Sequence, residues 1–198
     1  VQNSIREDFT RRVKELGASA RKGNPMSAET NIGPVTTPAQ YKKILDYIGI
    51  AKAEGARCIL GGGPAAASPE LTGGQFVEPT IFVDVTPQMR IAREEVFGPV
   101  LSIMGFDDEA QAVQMANDTI YGLAAGVWSR DVERAVSVAE RIQAGTIWIN
   151  DYHIISAEAP FGGFKQSGIG RELGTYGLKE YTEVKHIHVP LHNTPESK

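Results

Sequence analysis

Ala92-Arg93-Glu94-Glu95-Val96-Phe97-Gly98-Pro99 runs directly into the apolar stretch Val100-Leu101-Ser102-Ile103-Met104. Gly98 can take backbone angles that other residues avoid, and Pro99 forbids helix at Gly98. Glu95 and Phe97 are therefore expected on a stiff turn just ahead of a strand. Turns at strand ends are where α/β proteins place ligand-contacting groups. The plainer alternative is a loop in which Phe97 plugs the core and the glutamates face water.

Working outward, Thr80-Ile81-Phe82-Val83-Asp84-Val85 is β-branched and predicts a strand before the turn. After it, Asp107-Asp108-Glu109 places carboxylates at the start of a helix, where its dipole favours them, with Val113 and Ala116 expected on the inner face. Leu123–Trp128 predicts a strand, Ser129–Ile142 a helix with Val132, Ala135, Val136, Ala139 and Ile142 on one face, and Thr146–Asn150 another strand. The order from residue 78 to 150 is strand, turn, strand, helix, strand, helix, strand. That alternation predicts an α/β fold: a mostly parallel open sheet with helices on both faces.

Toward the start, Ser4-Ile5-Arg6-Glu7 fits a capping box. Ile5, Phe9, Val13 and Leu16 follow at helical spacing, and Gly17 is expected to end that helix. Residues 22–36 are rich in helix breakers and predict an ordered loop. Thr37-Pro38 opens a second helix whose apolar face is Tyr41, Ile44, Leu45, Ile48 and Ala51, closed by Glu54-Gly55. Arg57–Leu60 is a short strand running into Gly61-Gly62-Gly63. Past Asn150 the period is lost until a short helix over Arg171–Tyr181. Val184, Ile187 and Val189 then alternate with Lys185, His186 and His188, predicting a C-terminal extended edge strand. The expected layout is one portion over 1–181, a strand over 182–192 and a disordered tail over 193–198.

Composition narrows the classes. The 198 residues are 41% hydrophobic and 22% charged, enough for a real core and too polar for a membrane span. A formal charge of -4 removes the electrostatic case for nucleic acid or an anionic membrane as partner. A single cysteine, Cys58, precludes an internal disulfide and fits a reducing, cytoplasmic compartment. Val1-Gln2-Asn3-Ser4 carries neither an initiator Met nor a signal-peptide pattern, so the sequence reads as a fragment of something longer.

Most short motifs fail on inspection. Gly168-x-Gly170-x-x-Leu173 lacks the third glycine of a dinucleotide fingerprint and follows no strand. Gly61-Gly62-Gly63 lacks the lysine of a phosphate loop, and there is no Gly-x-Ser-x-Gly elbow. Cys58 lies in an apolar strand with no cationic neighbour in sequence and reads as a structural thiol. His186 and His188 share a strand face without a neighbouring Cys or Asp and read as solvated edge residues, so no metal is assigned. Glu94, Glu95 and Glu172 remain as carboxylates in unusual settings; spacing alone assigns none of them acid–base work.

Four long motifs, taken together, resemble the C-terminal half of the NAD(P)-dependent aldehyde dehydrogenase superfamily. They are Glu94–Val100, Asn117-Asp118-Thr119-Ile120-Tyr121-Gly122-Leu123-Ala124-Ala125, Ala144-Gly145-Thr146-Ile147-Trp148-Ile149-Asn150, and Pro160-Phe161-Gly162-Gly163-Phe164-Lys165-Gln166-Ser167-Gly168-Ile169-Gly170-Arg171-Glu172. Gly33-Pro34, Glu54-Gly55-Ala56 and Tyr181-Thr182-Glu183-Val184-Lys185 extend the likeness over nearly the whole chain. The resemblance implies oxidation of an aldehyde to a carboxylic acid with NAD or NADP, through a cysteine thiohemiacetal and thioester. It also implies that the nucleophile and the general base lie upstream of this chain, that the cofactor is bound mainly by an absent N-terminal half, and that the chain is inactive alone. The full-length parent is expected to be a homo-oligomer, dimer or tetramer, using the terminal strand.

Residue by residue, the resemblance gives Glu95 the hydroxyls of the nicotinamide ribose and Phe97 the place beside the nicotinamide. Phe161 lines the substrate tunnel, with His153, Ile154 and Ile155 at its mouth. Glu172 matches a buried glutamate that relays protons in some members; a carboxylate held by Arg171 or a helix end is the alternative. Arg171 and Glu183 match structural charges near the subunit contact. Members acting on betaine aldehyde often carry Trp where Phe161 stands, as part of an aromatic box, and Phe is the weaker cation–π surface. Two other readings stay open: a non-catalytic binding or assembly module derived from the same fold, and a relative of acyl-phosphate reductases, which fits Pro160–Glu172 poorly.

Overall fold

The computed structural model describes residues 1–66 and 68–190, and its contacts gather into two compact units, 1–119 and 120 onward. In the first unit, a 3-10 turn over Asn3–Ile5 leads into α1 (Arg6–Ala18). Ser4 sits inside that turn and caps nothing, so the expected capping box does not form. Gly17 does not end α1 either. A Cβ there would come within 2.7 Å of Leu60 Cδ2, so the glycine lets the helix close onto the strand β1 (Arg57–Leu60). Helix α2 (Pro38–Ala53) begins as expected: the Thr37 hydroxyl accepts from Gln40 N, and Pro38 fills the first turn. Ile44, Ile48 and Ala51 bury its inner face.

The core of this unit lies around β2 (Thr80–Val83), where all four residues are buried. β2 pairs antiparallel with β1 and parallel with β3 (Val100–Ser102). The mixed pairing follows from the connections. The described residues of 61–79 hold no α-helix and return the chain antiparallel, whereas 84–99, with the short helix α3 (Arg90–Arg93), make the crossover a parallel pair requires. The Gly61-Gly62 run is packing rather than phosphate binding. Gly61 has φ +65°, and a Cβ on it would lie 2.3 Å from the Pro79 carbonyl oxygen. Gly62 N donates to the buried Thr80 hydroxyl at 2.9 Å. Helix α4 (Glu109–Asn117) closes the unit, its first turn capped by the Asp108 carboxylate. Val113 on α4 is half-buried but Ala116 is exposed.

The second unit carries β4 (Ala124–Val127), α5 (Val132–Ala139) and β5 (Thr146–Ile149), with β4 and β5 parallel. Ala135 of α5 is fully buried; Val132 and Val136 remain exposed. Asn150, at φ +55°, ends β5 by exchanging two hydrogen bonds of 2.8 Å with the Ser129 backbone. That clamp and the Asp131 cap start α5 three residues later than its apolar period predicts. A last short helix is α6 (Gly174–Lys179).

The α/β class with parallel pairing is therefore as expected, with two differences. The strands form a three-stranded and a two-stranded sheet rather than one. No strand forms over 184–189; Val184, Ile187 and Val189 are 97%, 77% and 70% exposed. An edge strand needs another edge to pair with, and none among the described residues takes it. Positions 191–192 of the expected strand and the tail 193–198 lie outside the described residues. Among the described residues, no helix is long and apolar enough to cross a membrane.

Candidate functional site

In the first unit the candidate site is the turn from Glu94 to Val100. Glu94 ends α3 and is tied on three sides. Arg90 donates to it twice, through Nε and Nη2 at 2.8 Å, and the Tyr47 hydroxyl of α2 donates a third bond. The Arg90 and Tyr47 bonds pull its carboxyl down to about 2. Glu94 is thus a fixed anion that anchors the turn. Its neighbour Glu95 is exposed and has no side-chain partner among the described residues.

Beyond Glu95 the chain alternates sharply. Val96 turns into the core, while Phe97 turns out and is 73% exposed. Phe97, not Gly98, takes the left-handed conformation, with φ +56°. A bulky residue held there costs about 1–3 kcal/mol and persists only where the surroundings enforce it. The enforcement is visible. Gln40 Nε2 donates to both the Val96 and the Phe97 carbonyl oxygens at 2.9 Å. Thr80 N donates to the Pro99 carbonyl at 2.9 Å. Gly98 packs so tightly that a Cβ would sit 2.5 Å from Ile44 Cδ1. Its glycine is needed for room, not for backbone angle. The alternative in which Phe97 plugs the core is overturned by its exposure.

In the second unit the other expected residues gather along 151–174. Phe161 is half-buried and pairs with Glu172 through two backbone hydrogen bonds of 2.8 and 2.7 Å. The Glu172 carboxylate is exposed and holds no partner among the described residues, Arg171 included. Backbone pairing fixes Glu172 N and O, and leaves the side chain to solvent. Arg171 instead donates to the carbonyls of Gly163 and Gly170 at 3.0 and 2.7 Å, and its guanidinium lies 5.5 Å from the Phe164 ring centre. His153 has φ +65°, and Ile154 and Ile155 are 63% and 52% exposed. Trp148 Nε1 donates to the Ile154 carbonyl at 2.8 Å, and its ring meets Tyr152 edge-on at 5.4 Å. The loop is thus an exposed apolar and aromatic surface held from β5.

Cys58 is half-buried and its thiol donates to the Leu60 carbonyl at 3.2 Å. The fold does supply a cationic neighbour that the linear sequence hides: a Cβ on Gly62 would lie 2.8 Å from Cys58 Sγ and 3.0 Å from Lys52 Nζ. His186 and His188 stack at 6.3 Å in solvent, and Glu183 is exposed. No group of three metal-ligating residues occurs among the described residues. Sequence reasoning missed Gln40, Tyr47 and Arg90. Gln40 carries no signal beyond its place three residues after a helix cap, because its partners lie more than fifty positions away.

Known proteins supply the last observation. Betaine aldehyde dehydrogenase from Mesorhizobium japonicum is 49% identical over 96% of this chain, and aldehyde dehydrogenase 1A1 from Oryctolagus cuniculus is 48% identical over 96%. The chain spans only 39% and 38% of their respective lengths. The structure of Staphylococcus aureus betaine aldehyde dehydrogenase in complex with NAD+ matches with a TM-score of 0.93 and 46% identity, over 98% of this chain and 39% of that one. The profile of the aldehyde dehydrogenase family matches residues 1–187. The chain belongs to the aldehyde dehydrogenase family.

Proposed function

We propose that this chain is the C-terminal part of an NAD(P)-dependent aldehyde dehydrogenase, oxidising an aldehyde to a carboxylic acid through a cysteine nucleophile carried by another part of the protein. On this reading Cys58, the single cysteine here and held in β1, is not that nucleophile. The observation that carries the reading is Phe97, a bulky aromatic kept outside the core in a left-handed conformation beside an unpaired Glu95. A fold does not hold an aromatic ring in water against backbone strain for stability.

The pair fits the nicotinamide ribose end of a dinucleotide. Glu95 has both carboxylate oxygens open to accept two hydroxyl protons, and Phe97 offers an apolar ring face. NAD(P)+ bound there supplies the hydride acceptor for the aldehyde. The chain's own residues bind and orient: Glu95 by accepting hydroxyls, Phe97 by limiting where a flat ring can lie. In the second unit Phe161, Ile154, Ile155 and His153 are proposed to meet the aldehyde, and Glu172 to exchange protons with water from its exposed position. A homo-oligomer would use residues 182–192, of which Val184, Ile187 and Val189 are exposed.

The test is the native gene product itself. Its intact mass is expected to exceed twice the 21.4 kDa of this chain, since the relatives are longer by that much. The native product should oxidise aldehydes with NAD(P)+, and the chain alone should not. A native product of 21.4 kDa, or turnover by the isolated chain, overturns the proposal.

A further inference from the structure

We propose that the open edge of β3 is a docking surface for an extended peptide strand, supplied by the stretch of the longer protein that immediately precedes Val1, and that the edge takes this strand even as a separate piece. The inference rests on the reading above that a longer protein carries this chain, which spans 38% of the length of aldehyde dehydrogenase 1A1 from Oryctolagus cuniculus. The first residues of the chain set the direction and register of the strand. Val1 N donates to the Met104 carbonyl at 2.8 Å, Phe106 N to the Val1 carbonyl at 3.1 Å and Asn3 N to the Phe106 carbonyl at 2.8 Å. This is the ladder of a parallel pair, with Gln2 opposite Phe106. Residues 103–106 follow directly on β3, and β3 is an outer strand of its three-stranded sheet. Along β3 the backbone groups alternate in direction. Pro99 O accepts from Thr80 N and Ile103 N donates to Phe82 O, both at 2.9 Å, so the groups of 99, 101 and 103 face β2. Those of Val100, Ser102 and Met104 face the other way, and Val1 already takes Met104 O. Val100 O, Ser102 N, Ser102 O and Met104 N are left as a row on a parallel edge that no strand among the described residues pairs with. Carrying the register of Val1 back two residues at a time fills that row. The second residue before Val1 donates to Ser102 O and accepts from Met104 N. The fourth donates to Val100 O and accepts from Ser102 N. The strand's side chains have a seat as well: Leu16, Ile81, Pro99, Val100 and Leu101 line an open apolar hollow beside β3. An apolar strand covers the edge and the hollow together, as a parallel sheet requires of its faces.

The probe is a short synthetic peptide of the residues that the native gene encodes immediately before Val1, added to the isolated chain. At saturating peptide, amide hydrogen exchange at Ser102 and Met104 should slow about ten-fold, the size set by one well-made hydrogen bond. Amides of β4 should stay unchanged. N-methylation of the last residue of the peptide, or of the third from its end, should leave the protection intact, because those N–H groups face away from β3. N-methylation of the second or the fourth from its end should abolish it. In the full-length native product, the Ser102 and Met104 amides should exchange about ten-fold more slowly than in the chain alone. A full-length product in which both exchange as fast as in the isolated chain overturns the docking, while the reading of a longer enzyme stands. Slow amides in the full-length product without protection by the unmethylated peptide overturn capture of the strand as a separate piece. Equal protection by the peptide methylated at its second-last residue overturns the register and the pairing with it. Protection of Ser102 in the chain alone that grows with its concentration gives the edge to a second copy and overturns the proposal. A native product of 21.4 kDa removes the reading itself, and the proposal falls with it.

Discussion

Glu94 and Glu95 are adjacent and identical, yet one is spent on structure and the other is free. Two bonds from Arg90 and one from Tyr47 hold the Glu94 carboxylate in place. The consequence is a pH dependence with a definite sign. Its folded carboxyl lies at about 2, below the ordinary glutamate value, so its contribution to stability is complete above the ordinary value and is lost as pH falls toward 2. Replacing Glu94 with Gln should therefore lower the urea midpoint at neutral pH. The difference from the parent should shrink as the buffer is taken through pH 4 and toward 2. Because the cluster is partly exposed, added salt should shrink it too. A difference that stays constant with pH would mean that the substitution acts through packing and not through charge. Which glutamate was free was not legible in the sequence. Tyr47 and Arg90 come from two helices, and nothing in a run of Glu-Glu says which will meet them.

At the scale of elements, the helices and strands were legible because each carries a local signal. The α2 face of Ile44, Ile48 and Ala51 is a helical period, and Thr37-Pro38 is a cap with its own chemistry. Pairing was less legible, since the direction of β1 against β2 is decided by a connection without helix and not by either strand. The glycines show the same limit. In the sequence Gly17 and Gly98 look like breakers; in the fold both are places where a helix or turn presses on its neighbour. Putting Ala at Gly98 should cost about 1–3 kcal/mol by overpacking against Ile44. Truncating Ile44 to Ala costs about 2–5 kcal/mol by itself. If the clash with Ile44 is the cause, Gly98→Ala in the Ile44→Ala background should cost little or nothing. That non-additivity, read from denaturant unfolding of the four proteins, is the check. Equal costs in both backgrounds would return the effect of Gly98 to its backbone.

For the whole molecule, the question is what its exposed apolar surface is for. Ile5, just before α1, and Phe9 and Leu16 on it follow a helical period that should face a core, yet they are 56%, 38% and 74% exposed. Beside them, Val13, Leu16, Gly17, Ile81, Gly98 and Leu101 line an open apolar hollow of about 360 Å³. The helical period of α1 marks an inner face without saying what it meets, because amphipathicity marks a surface to be covered and not its cover. Val184, Ile187 and Val189 at the far end of the sequence are open as well. Scattered apolar residues on a surface are ordinary, but contiguous ones seldom stay in water. The chain on its own should therefore self-associate, with a sedimentation coefficient that rises with concentration and bound hydrophobic dye. Converting Leu16 to Lys, a change of surface that breaks no described hydrogen bond, should reduce both, while leaving the unfolding free energy within about 0.5 kcal/mol of the parent. Truncating the chain after Thr182 separates the two surfaces: if association survives truncation but not Leu16→Lys, the α1 face carries it, and the reverse assigns it to the terminal segment. A chain that stays monomeric and dark to dye at every concentration would mean that these residues are covered within the chain itself.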